Sequence, residues 1–155
     1  MVQPPRFEKA FMKNSLTQLL EQLQADGLPC ALDEEGDIVF VHQGLSYALC
    51  LDAEDSHFGC LLLPRVWSLE SSQPAGQALA ALNEINDRLK LVKGVLSQGS
   101  ISFVIELWLP DPLAWRQCIG RACDTLVHAI HLFVDAMEGV QSGLQSRPRD
   151  DQHRT

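Results

Sequence analysis

Positive charge is scarce in this sequence. Twelve Lys and Arg stand against twenty Asp and Glu, and the isoelectric point is near 4.9. A surface with that balance repels phosphate backbones, so neither nucleic acid nor an anionic membrane is expected as a partner. Long hydrophobic runs are missing too. No stretch holds the ~18 uninterrupted apolar residues of a membrane span, and Met1 to Arg6 lacks a basic segment leading into an apolar run. A cytoplasmic protein is the expectation that follows. The five cysteines, Cys30, Cys50, Cys60, Cys118 and Cys123, show no CxxC spacing, which indicates neither a disulfide framework nor a zinc knuckle. They read as buried free thiols.

The signatures of catalysis are equally absent. There is no Gly-rich phosphate loop and no nucleophile elbow, and nothing arranges Ser, His and Asp into a triad. The expectation is a non-enzyme without a cofactor. No internal repeat or linker divides the chain, and 155 residues, 46% hydrophobic and 21% charged, suffice for one domain with a sizeable core.

What the sequence does contain is periodic. Leu16, Leu19, Leu20 and Leu23, preceded by Phe11 and Met12, recur at helical spacing and predict a first helix over about 8–25, closed by Asp26-Gly27. Ser15 and Gln18 offer a capping box if that helix starts late. Short strands follow over 29–33, 38–42 and 45–52, separated by the turns Glu34 to Asp37 and Gln43-Gly44, with Leu45, Tyr47, Leu49 and Leu51 sharing a face. Phe58 to Trp67 is a further extended run, and its Pro64 suggests a sheet edge. A second helix opens at Gln73-Pro74 with the stripe Leu79, Leu82, Ile85, Leu89 and Val92. Lys93 to Ser97 pairs through Gln98-Gly99 with a strand whose alternate residues Ile101, Phe103, Ile105, Leu107 and Leu109 face a core. Asp111 and Pro112 then open a long helix carrying Trp115, Ile119, Ala122, Leu126, Ile130, Phe133 and Met137 on one stripe. The predicted fold is α+β: an antiparallel sheet of five to six strands in the order α-β-β-β-(β)-α-β-β-α, with helices packed on the sheet. Residues 8–138 form the domain, 1–7 a flexible leader and 139–155 a flexible polar tail.

This order, together with Ala80-Ala81-Leu82-Asn83-Glu84-Ile85-Asn86, the Gly94 to Leu109 hairpin and the helix ending His131-Leu132-Phe133-Val134-Asp135-Ala136-Met137, resembles the YbjN-like family of bacterial sensory transduction regulators and the type III secretion chaperone-like fold. The resemblance implies a cytoplasmic bacterial protein, often a homodimer, that binds other proteins instead of catalysing a reaction. It supplies no catalytic residues.

Several strand positions predicted to point away from the core are apolar: Val39, Val41, Ala48, Cys50, Leu61, Leu63, Val104 and Trp108. A sheet covered on one side normally carries polar residues on the other. This second face is therefore the candidate docking surface, with Leu61, Leu63, Trp67, Val104, Trp108, Asn83 and Asn86 as candidate partner-binding residues for an unidentified protein partner. The competing account is that a helix crosses to this face or the sheet curls over itself. Asp124, His128, His131 and Asp135 share a helical stripe suited to a metal or a pH-sensitive ladder, but an amphipathic helix needs a solvated face in any case, and no metal site is assigned. Two further readings are weighed. One is a small-molecule binding module, which would need a deep pocket holding His42, His57 or that stripe. The other is a dedicated type III secretion chaperone.

Overall fold

The computed structural model describes residues 6–145, with side chains over 13–139. Its elements are α1 (Arg6–Ala25), β1 (Cys30–Leu32), β2 (Ile38–His42), β3 (Leu45–Leu51), β4 (Phe58–Ser68), α2 (Ala75–Arg88), β5 (Val92–Ser97), β6 (Ser100–Trp108) and α3 (Trp115–Gln145), the last entered through a 3-10 turn at Pro112–Ala114. The expected α+β order is the observed one. Every strand pair is antiparallel, and the six strands lie in the order β1-β2-β3-β4-β6-β5. The β5–β6 hairpin folds back so that β6, the longer and more apolar of the two, sits inside the sheet.

Each boundary has a local cause. Asp33 Oδ1 accepts from the amides of Glu35 and Asp37 at 3.0 and 2.9 Å and turns β1 into β2. Asp111 accepts from the Leu113 amide at 2.9 Å, with Pro112 placed where its missing N–H costs nothing. Between Leu63 and Trp67 the β4–β6 register slips, because Pro64 has no amide to give and Arg65 adopts a positive φ of 48°. Pro64 thus marks a bulge inside a central strand, where the sequence suggests an edge.

The core lies between one sheet face and the helices. Phe40, Tyr47, Leu49, Leu61, Leu63, Ile101, Phe103 and Ile105 meet Leu19 and Leu23 of α1, Ala78, Ala81, Leu82 and Ile85 of α2, and Trp115, Leu126, Phe133 and Met137 of α3. Phe133 is the hub: its ring stands edge-on to Phe103 at 6.1 Å and to Trp67 at 5.7 Å.

Some expectations need correction. α1 begins at Arg6, so Ser15 lies mid-helix and buried and caps nothing. Phe11 and Met12 fall outside the residues whose side chains are described. α2 ends at Arg88, which leaves Leu89 and Val92 beyond it, and its inward face uses Ala78 where Leu79 was expected; Leu79 is 52% exposed. Small alanines let α2 approach the sheet closely. α3 runs through Gly139 to Gln145. The rest of the expected leader and tail, 1–5 and 146–155, falls outside the described residues.

Candidate functional site: the open face of the sheet

The second face of the sheet is built by side chains that alternate with those of the core. In register across the strands, Ala31 pairs with Val39, Val39 with Ala48, Ala48 with Leu62, Leu62 with Val104, and Val104 with Lys93. One row therefore crosses all six strands, apolar at every position but the last. None of Val39, Ala48, Leu62 and Val104 belongs to the core cluster, although Val104 is only 8% exposed. Val41, 60% exposed, and Trp108, 76% exposed, extend the apolar surface toward opposite ends of the strands. Pro29, Ala31, Val39, Val41, Ser46, Ala48 and Pro64 line a shallow trough of about 760 Å³ on this side.

The charges on this face are unevenly distributed. Asp37 and Glu106 lie toward the Trp108 end, where Lys93 Nζ reaches Glu106 Oε2 at 2.8 Å and Trp108 Nε1 donates to Asp55 Oδ2 at 3.2 Å. At the other end of the strands, in the β4 bulge, stands exposed Arg65, its amide donating to Ser102 Oγ at 2.9 Å.

This geometry sorts the expected site residues. Val104 and Trp108 do lie on the open face. Leu61, Leu63 and Trp67 do not. Leu61 is 0% and Leu63 1% exposed in the core, since Leu61 pairs with core-facing Leu49 and Leu63 with core-facing Phe103, and the half-buried Trp67 packs on Phe133. Their neighbours Cys60, Leu62 and Pro64 hold the positions foreseen for them. The run from Phe58 to Pro64 is apolar throughout, so its phase is set only by pairing with β3.

Asn83 is exposed. Asn86 has a structural task. Its Oδ1 accepts from the Gly94 amide at 2.7 Å and its Nδ2 donates to the Gly94 carbonyl at 3.3 Å. The side chain thus occupies the outward-facing backbone groups of the edge strand β5 as a further strand would. Leu82, one turn earlier, packs over the same glycine. Leu82 and Asn86, both from the Ala80 to Asn86 stretch, therefore form a clamp between α2 and β5. Replacing Asn86 with Ala leaves the Gly94 N–H and C=O without partners, and the expected loss is about 1–3 kcal/mol, read as a lower urea midpoint.

Asp124, His128, His131 and Asp135 are all exposed along α3. Among the described residues, the one grouping of three metal-ligating side chains is Asp33, Glu35 and Asp37, and there Asp33 Oδ1 is already engaged in making the turn. His42 lines a cleft between α1, β2 and α3, but its volume is about 260 Å³, below the ~300–1,000 Å³ usual for ligand pockets. The charged groups at this cleft, Arg116 and Asp26, are joined to each other by two bonds of 2.6 Å. That bidentate contact holds the Asp26 carboxyl below the usual carboxylate range. His57 is tied to the Leu109 carbonyl at 3.0 Å. Neither histidine sits in the deep pocket that a small-molecule module would need. No helix among the described residues is long and apolar enough to cross a membrane.

Comparison with known proteins adds two likenesses. The solved structure of YbjN from E. coli, described as a putative transcription regulator, superimposes with a TM-score of 0.58 at 14% sequence identity, covering 79% of this chain and 92% of that one. At that identity the likeness concerns the fold. A search of curated proteins returns no match. The family model of YbjN, "Putative bacterial sensory transduction regulator", matches residues 15–139. That span runs from α1 through all six strands and most of α3, and on it the chain belongs to the YbjN family.

Proposed function

We propose that the chain is a non-catalytic regulatory module that works by binding protein, and that the open sheet face is where a second copy of the chain sits. The observation that carries this reading is the row from Ala31 to Val104, which crosses five strands outside the core cluster with no helix over it among the described residues. Small, flat-lying side chains suit the packing of one sheet on another, and a two-fold interface uses the same patch twice. The edges support a face over a strand addition: Asn86 occupies β5 at Gly94, and β1 is three residues long with Pro29 before it.

Charge favours one arrangement of the two copies. With strands antiparallel across the interface, the Arg65 end of each sheet lies over the end of its partner that carries Asp37 and Glu106; with strands parallel, acid would meet acid. The chaperone-like extension, a homodimer that in turn holds a segment of a partner protein, rests on the family resemblance.

Sedimentation equilibrium on the full chain tests the association. The wild type is expected to be a dimer. Leu62→Asp, which places like charges opposite each other at the centre of the row, is expected to weaken the dimer by about a hundredfold, ~2–4 kcal/mol on the scale of interface hot spots. Its circular dichroism should be retained, because Leu62 lies outside the core. A wild type that stays monomeric at high concentration, or a Leu62→Asp variant that dimerises as well as the wild type, overturns the proposal.

A further inference from the structure

The same face carries two cysteines beside that row. Cys50 of β3 and Cys60 of β4 are direct cross-strand partners, half-exposed, in an unbroken stretch of register from Ala48↔Leu62 to Leu51↔Gly59. The Asp52 amide donates to the Phe58 carbonyl at 3.0 Å. Two residues further along the ladder, Cys50 and Cys60 occupy the same kind of hydrogen-bonded pair, for which the Cα atoms stand about 5.5 Å apart. That separation falls within the roughly 4.4–6.8 Å that a disulfide spans. The Cys50 thiol lies along its own strand, its Sγ 4.0 Å from the Ala48 carbonyl oxygen.

We infer that Cys50 and Cys60 form a reversible dithiol–disulfide site, open to a peroxide-class oxidant on this face of the sheet in the single copy. The surroundings assign the roles. The Cys60 thiol is drawn below the ordinary thiol range by the hydrogen bond from Cys50 and, to a smaller degree, by Lys93, against burial and the negative Glu106 and Asp37. Cys50 is raised by that same bond to Cys60 and by burial, with Asp37 adding. Cys60 is thus the attacking sulfur and Cys50 the resolving one.

The steps balance. The Cys60 thiolate attacks one peroxide oxygen, the O–O bond breaks and hydroxide leaves, which gives a sulfenic acid on Cys60. The Cys50 sulfur gives up its proton and attacks the Cys60 sulfur; the S–S bond forms as the S–O bond breaks and a second hydroxide departs. Two thiols and one hydrogen peroxide become one disulfide and two waters, the sulfurs losing two electrons and the peroxide gaining them. Side chains of hydrogen-bonded pairs stand farther apart than those of the alternate kind, so the bridge closes under strain and is easily reduced.

The test uses the full chain, dilute enough to favour single copies, with one equivalent of hydrogen peroxide. The expected product is a monomer lighter by two hydrogens, with a peptide linking Cys50 to Cys60, and dithiothreitol restores the starting mass. Cys123 serves as an internal control, because burial pushes its thiol up to about 12. In Cys50→Ser, a sulfenic acid should persist on Cys60 and be trapped by dimedone. In Cys60→Ser, peroxide consumption should fall by roughly tenfold. First modification at Cys30 or Cys118, chain-to-chain disulfides that leave Cys50 and Cys60 free, or unchanged consumption by Cys60→Ser overturns the proposal. The wild-type peptide map decides the matter even if a variant folds poorly. Neither result bears on the dimer, whose test is the Leu62→Asp variant.

Discussion

Phe103→Ala is expected to lower stability by about 3–5 kcal/mol, the range for removing a buried aromatic ring. Phe103 is fully buried at the middle of β6, flanked by Gly94 and Leu63 in register and edge-on to Phe133. Emptying that position removes the contact through which the sheet centre meets α3. Against a net stability of about 5–15 kcal/mol, the loss is a large fraction of the whole. Urea unfolding followed by circular dichroism should show the midpoint falling by roughly 2 M with little change in slope. A loss below about 1 kcal/mol would mean that Phe103 is not packed as described.

Gly94→Val has the second large effect, and it arises from crowding. A Cβ built on Gly94 would lie 2.7 Å from Leu82 Cδ2 and 2.7 Å from Phe103 Cε1, inside any real contact distance. Leu82 is 3% exposed and has little free space to move into, and the Phe103 ring is held by Phe133 and by its strand. The expected cost is about 1–3 kcal/mol, with the added displacement of β5 from the Asn86 clamp on top. A double-mutant cycle identifies the cause. Leu82→Ala opens space over residue 94, so Leu82→Ala with Gly94→Val should be less destabilised than the sum of the two single variants, by about 1 kcal/mol or more. Strict additivity would show that Leu82 and residue 94 are not in contact.

These two positions also show what the sequence could and could not convey. Phe103 is legible because Ser102 and Glu106 mark the outward set of β6 despite the apolar Val104 and Trp108 within it, which leaves Ile101, Phe103 and Ile105 inward. β4 carries no such marker. Phe58 to Pro64 is apolar on both faces, so Leu61 and Leu63 were assignable to either side, and one choice of phase decided Trp67 as well. The long helix α3 is legible from its stripe and from Asp111-Pro112, whereas α2 is not legible to the residue, since an alanine-based inward face gives no strong signal beside an exposed Leu79. The role of Asn86 is hidden for another reason: its partner is a glycine backbone eight residues later, and backbone groups leave no mark in a sequence. The Cys50–Cys60 pairing had a faint signal. The two residues are equidistant from Asp55 in the loop between β3 and β4, so counting outward from that residue brings them face to face.

The tryptophans divide the molecule into optically separate regions. Trp115 is sealed in the core beside Gly59, Trp67 is half-buried against Phe133, and Trp108 is open to water at the far end of the uncovered face. Emission from Trp108 should therefore be red-shifted and readily quenched by acrylamide, and that of Trp115 blue-shifted and protected. Whatever settles over the sheet dims or shifts one of these signals and leaves the other as an unfolding gauge, so an unlabelled sample distinguishes binding from denaturation in a single spectrum.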